Sequence, residues 1–120
     1  LTPAGDTGSI YNMAAMANPA AEIHICEGEF DSMILEQCGW PAVALPGATS
    51  WQTFWTKFFE GYDHIYIWSD PDKAGDQMAQ TLQTALPQAV HVPLTVGDVT
   101  DTYLQAGKTG LTQALDTVLQ

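Results

Sequence analysis

Four short apolar runs, separated by stretches with helical periodicity, constrain this chain more than any other feature. They are Ile23-His24-Ile25-Cys26, Ala42-Val43-Ala44-Leu45, His64-Ile65-Tyr66-Ile67-Trp68 and Val90-His91-Val92. Runs this short and this continuously apolar read as strands covered on both faces. After the first, Phe30, Met33, Ile34 and Cys38 recur at helical spacing, and Gly39 marks a stop. After the second, Thr49 with Gln52 three residues on fits a capping box. That helix would carry Trp51, Phe54, Trp55, Phe58 and Phe59 on one face and end at Gly61. After the third, Asp70-Pro71-Asp72 precedes a helix with Ala74, Met78, Leu82, Ala85 and Leu86 inward, ended by Pro87. Asp98 to Gln120 reads as one or two helices. Strands alternating with helices predict parallel pairing through right-handed crossovers. The expected fold is α/β and Rossmann-like: a four-stranded parallel sheet, order 2-1-3-4, with helices on both faces.

The 120 residues suffice for one domain. Residues 1–21 are weakly patterned and read as a lead-in, so the domain proper is expected over 22–120. Charge narrows the function. Fourteen acids face three lysines (Lys57, Lys73, Lys108) and no arginine, a net charge of −11. Three scattered lysines make no basic patch, which excludes an autonomous nucleic-acid binder. An anionic membrane surface would repel the chain. Metal cations and basic domains of the same or another polypeptide remain as partners. Cys26 and Cys38 lack the spacing of a zinc site and read as reduced core residues. No apolar run is long enough to span a bilayer, and Leu1-Thr2-Pro3 does not open like a signal peptide. That start reads as a cut within a longer, cytoplasmic protein.

In an open parallel sheet, sites form at the carboxyl ends of the strands where strand order reverses. For order 2-1-3-4 that point lies between strands one and three. Glu27 ends strand one, and Asp70 and Asp72 follow strand three. Three carboxylates brought together there repel one another, and a divalent cation relieves the repulsion. Oxygen ligands suit Mg²⁺ or Mn²⁺. Pro71 biases Asp70 towards an extended conformation, and carboxylates at i and i+2 of an extended chain point the same way. Taken alone, Asp70-Pro71-Asp72 is equally a helix cap followed by proline at the first helical position. Glu27, Glu29 and Asp31 are equally first-turn acids favoured by the helix dipole. The joint placement of these acids at two strand ends favours the metal site.

Cys26-Glu27-Gly28-Glu29-Phe30-Asp31 resembles the Glu-Gly motif of Toprim domains, and Asp70-Pro71-Asp72-Lys73-Ala74-Gly75 resembles their Asp-x-Asp motif. Leu45-Pro46-Gly47 and Asp98-Val99-Thr100-Asp101 with Tyr103-Leu104 resemble later elements of primase Toprim domains. The match runs over roughly 21–107 and is most similar to DNA primases and primase-helicases of bacteria and phages. Tyr11-Asn12 resembles the end of a preceding basic subdomain in that group. The resemblance implies Mg²⁺-dependent nucleotidyl transfer for RNA primer synthesis, Mn²⁺ being a substitute. Nucleoside triphosphates, a DNA template and a basic domain of the same chain would be the partners, and the fragment alone would be inactive. It implies Glu27 as the catalytic or metal-organising carboxylate and Asp70 and Asp72 as metal ligands. Asp31, Asp98 and Asp101 would support a second ion or the nucleotide phosphates, and Gly28 and Gly75 would allow close backbone approach. A Toprim nuclease or topoisomerase fragment, or a non-catalytic adaptor module, is the alternative.

The remaining features read as structural. The aromatic face Trp51–Phe59 is expected to pack in the core, with a docking face as the alternative. His24, His64 and His91 read as sheet residues, and Lys73 as a solvated lysine at a helix start.

Overall fold

All four strands pair in parallel, in the order β2-β1-β3-β4. The computed structural model describes residues 10, 12, 21–45, 51–52 and 55–119. The elements are β1 (Glu22–Cys26), α1 (Glu29–Gln37), β2 (Ala42–Ala44), α2 (Thr56–Phe59), β3 (His64–Trp68), α3 (Lys73–Ala85), β4 (Ala89–Val92) and α4 (Val99–Asp116). This is the expected strand order, with the reversal between β1 and β3. The expected segment Pro46-Gly47, the Thr49 cap and Phe54 lie outside the described residues.

Side chains of a strand alternate between faces, so each strand divides into two sets. On one face Ile23, Ile25, Val43, Leu45, Ile65 and Ile67 pack against Trp55 and Phe59 near α2 and against Met78, Leu82 and Leu86 at α3. Ile10, from the lead-in, is buried in the same cluster. On the other face Cys26, Ala42, Ala44, Tyr66, Trp68 and Val92 pack against Leu35 of α1 and Val99, Leu111 and Leu115 of α4. Cys26 and Cys38 are buried free thiols.

This second face also holds a buried imidazole. His24 is fully buried between Trp40 and Tyr66, with ring centroids 5.7 and 5.0 Å away. The Trp68 indole donates to its Nδ1 at 2.8 Å, and its Nε2 meets the Glu22 carboxylate. Nδ1 is therefore an acceptor and the proton sits on Nε2. Burial holds the His24 pKa below its ordinary value, against the opposing pull of Glu22. His64 and His91 lie in β3 and β4.

The helices depart from their sequence patterns in three places. In α1, Phe30 and Met33 are exposed, at 74% and 43%, while Asp31, Ser32 and Leu35 are buried. Contacts with β2 and α4 set the rotation of α1, and they turn Asp31 inward at the cost of the apolar stripe. In α3, Ala74 is exposed and Gly75 is the residue that faces in. The aromatic helix is only one turn, Thr56–Phe59, with Trp51 before it. Trp51 nevertheless contacts Trp55 and Phe59, with ring centroids 5.5 and 5.9 Å apart, and packs on the core. The closing stretch, read as one or two helices, is α4 broken at Gly107, whose φ of 63° is open to glycine.

Candidate metal centre

The register of the sheet brings the acids together. Cys26 lies opposite Trp68 across β1 and β3, so Glu27 leaves the sheet beside Ser69 and Asp70. The Asp70 backbone N–H donates to Glu27 Oε2 at 2.7 Å, tying the two strand ends. Ser69 is buried, and its hydroxyl lies 2.6 Å from His91 Nε2, tying β3 to β4 just before Asp70. Asp72 then turns into the helix start, where it accepts the Gly75 N–H at 2.7 Å. It is the N-cap of α3, in the extended conformation that this role requires. The first turn of α3 sits so close to the strand end that a β-carbon on Gly75 would overlap the Asp70 carbonyl.

The start of α4 supplies the other side. Asp98 accepts the Asp101 N–H at 2.8 Å, and Asp101 accepts the Asp98 N–H at 3.2 Å, a reciprocal capping box. Thr100 donates twice to Asp31 Oδ1, from its backbone N–H at 3.1 Å and its hydroxyl at 2.7 Å. Asp31, Asp70 and Asp98 thereby each place a carboxylate oxygen within 4.8 Å of the other two.

That proximity is electrostatically unfavourable when all three are ionised. The Asp70 carboxyl is pushed up to about 7, first by burial, then by its hydrogen bond to and the charge of Glu27, with Asp98 and Asp72 adding. Asp31 is also raised by burial, and by Asp98 and Asp70, while the Thr100 hydrogen bonds oppose the rise. Negative charge gathered on oxygen donors in a half-buried crevice is the environment that a hard divalent cation relieves. The residues present therefore fit the group that the sequence implied.

The expected residues divide into two sets. Glu27 and Asp70 meet, as the strand-end argument requires, but the compact trio is completed by Asp31 and Asp98, which had only a supporting role. Asp72 and Asp101 lie outside the trio and serve helix caps, as Asp98 does from within it. Gly75 presses its backbone on the Asp70 carbonyl, whereas at Gly28 the backbone is extended and a β-carbon would sit 3.5 Å from Asp31 Oδ2, an ordinary contact. Thr100 was missed altogether. Its one signal is position, a hydroxyl residue within the acidic Asp98–Asp101 segment.

A profile of the Toprim-like family matches residues 24–101, which span every acid of this centre. The chain belongs to the Toprim-like family. It is 33% identical over 116 residues to the Gene 57 protein of Mycobacterium phage D29, an alignment covering 96% of this chain and 76% of that protein. Its Toprim fold resembles the primase fragment of the bacteriophage T7 primase-helicase (TM-score 0.79, 20% identity). It also resembles the primase domain in a T7 lagging-strand DNA polymerase assembly with an RNA/DNA hybrid and dTTP (TM-score 0.80, 21% identity). A small Toprim domain protein from Bacillus stearothermophilus is a more distant likeness (TM-score 0.56, 19% identity). The matched region takes in 95% and 94% of this chain but only 51% and 62% of the two T7 chains. Among the described residues no helix is long and apolar enough to cross a membrane.

Proposed function

We propose that this Toprim domain is the metal-binding catalytic part of a DNA primase or primase-helicase, carrying out Mg²⁺-dependent nucleotidyl transfer for primer synthesis. The observation that carries the reading is the convergence of Asp31, Asp70 and Asp98 beside Glu27 at the reversal point of the sheet. Asp70 is central, since its backbone N–H bonds Glu27 and its carboxylate lies within 4.8 Å of those of Asp31 and Asp98. Asp31, Asp70 and Asp98 would hold a divalent ion, and Asp72 would add to it only through what its cap leaves over. A bound Mg²⁺ supplies a positive charge that favours an ionised 3′ oxygen and a leaving pyrophosphate. Glu27, anchored to the Asp70 backbone, would receive the proton of the attacking hydroxyl. With three lysines and a charge of −11, the domain leaves template binding to a basic domain of the same protein. Alone it would bind the ion weakly and make no primer.

A Mn²⁺ titration followed by paramagnetic broadening of NMR signals tests the centre. Broadening focused on Glu27, Asp31, Asp70 and Asp98 is the expected result. Broadening spread over the acidic surface and unchanged in Glu27→Gln would overturn it. The parent protein tests the reaction: ribonucleotide incorporation on single-stranded DNA should vanish in Asp70→Asn. Nicking of supercoiled DNA without incorporation would replace the primase by a nuclease or topoisomerase.

A further inference from the structure

Asp31 stands apart from the other acids of the centre. It is only 5% exposed, and it belongs to the first turn of α1 rather than to a strand end. A buried carboxylate is costly unless its oxygens are hydrogen-bonded. Both of the bonds that it receives come from one residue, Thr100, 69 positions away, and both fall on the same oxygen, Oδ1. A backbone N–H and a hydroxyl from one rigid helical turn restrain the carboxylate in position and in rotation. They leave Oδ2 on the Gly28 side, uncommitted to α4.

We propose that Thr100 is the positioning residue of the metal centre: it aims Asp31 at the ion and couples the seating of α4 to ion binding. This rests on the reading of the acid cluster as a divalent cation site. Residues that orient a metal ligand through a hydrogen bond commonly contribute about 10–100-fold to affinity, since an unaimed ligand must be ordered at the moment of binding. Thr100 and Asp98 share the first turn of α4, so the element that delivers one ligand also aims another. The same hydrogen bonds staple α1 to α4, and a staple alone would affect stability without touching affinity.

The test is Mn²⁺ binding to the whole chain, read by the EPR signal of free Mn²⁺, alongside thermal unfolding in EDTA and in Mn²⁺. Thr100→Val keeps the shape and the backbone N–H but deletes the hydroxyl, and should weaken binding about tenfold. Thr100→Ser restores the hydroxyl and should bind close to wild type. Asp31→Asn keeps an acceptor for Thr100 but removes the ligand charge. In that background Thr100→Val should weaken binding no further. If Thr100→Val unfolds more readily in EDTA but binds Mn²⁺ as the wild type does, Thr100 is a staple and the proposal falls. If Thr100→Val weakens binding equally with and without Asp31, it does not act through Asp31, and the proposal falls. A wild-type chain that binds no Mn²⁺ at these residues instead removes the cation site itself, an outcome separate from either.

Discussion

The starts of α3 and α4 are built alike and serve differently. Each has an aspartate at the N-cap, Asp72 and Asp98, accepting a backbone N–H three residues on. Each cap stands near a second acid, Asp70 and Asp101 respectively. Yet at α3 the cap lies outside the acid trio and its neighbour Asp70 is inside, whereas at α4 the cap Asp98 is inside and its neighbour Asp101 is outside. Local chemistry is the same in both cases: a short acidic side chain satisfies orphan helix donors. What differs is where each helix begins relative to the crevice between β1 and β3. The α3 cap lies two residues past the strand-end acid, and the helix that follows carries it away. α4 starts after a loop from β4 that returns its cap to the crevice. Capping does not compete with a metal role, because a carboxylate has two oxygens and one suffices for the cap.

The largest test of this contrast is steric. Gly75→Ala would drive a methyl into the Asp70 carbonyl, and should cost about 2–3 kcal/mol in urea unfolding. Gly28→Ala, at the N-cap of α1 in extended backbone with only ordinary contacts, should cost less than about 1 kcal/mol. Equal effects would show that the α3 start is not pressed on the strand end. Next comes ion binding. Asp70→Asn should lower Mn²⁺ affinity about 30-fold or more, while Asp72→Asn, which keeps the capping acceptor, should change it less than about threefold. An Asp72 effect as large as that of Asp70 would make the cap a full ligand and erase the distinction.

A third measurement follows the protons. Asp70 rises from 3.8 to about 7 on folding, so its proton favours the folded state. That contribution is complete below pH 3.8 and lost as pH rises through about 7. Metal-free protein should therefore lose stability over this range relative to Asp70→Asn, and saturating Mn²⁺ should remove the difference. Buried His24 acts with the opposite sign: its lowered pKa contributes stability above 6.5 that is lost as pH falls. Comparing wild type with Asp70→Asn, both of which retain His24, isolates the aspartate. The smallest effect is expected at Asp101, where Asp101→Asn should cost about 0.5 kcal/mol and leave Mn²⁺ affinity unchanged.

Glu27 and Asp70 were legible because strand ends are written in local pattern: an apolar run stops and an acid follows. Asp31 and Asp98 entered the site only through the family resemblance, in a supporting role rather than beside Asp70 in one trio, because nothing local reports that positions 31 and 98 meet. The apolar stripe of α1 misled for the same reason. Phe30 and Met33 have helical spacing with Ile34, yet the hydrogen bond that Thr100 donates to Asp31 marks the side that faces inward. The aromatic segment was read correctly as core at Trp51, Trp55 and Phe59, wrongly at Phe58, which is exposed, and too generously as helix, since aromatic spacing alone does not say how the backbone travels.

The sequence by itself determined the parallel α/β sheet, its strand order and the crevice at which acids would gather, because periodicity, strand length and crossover handedness are local or nearly universal constraints. Only the tertiary structure decided which acids share that crevice. That choice depends on the rotation of α1, on the path from β4 to α4, and on Thr100 bridging 69 residues of chain, and no local preference encodes a distance between residues so far apart.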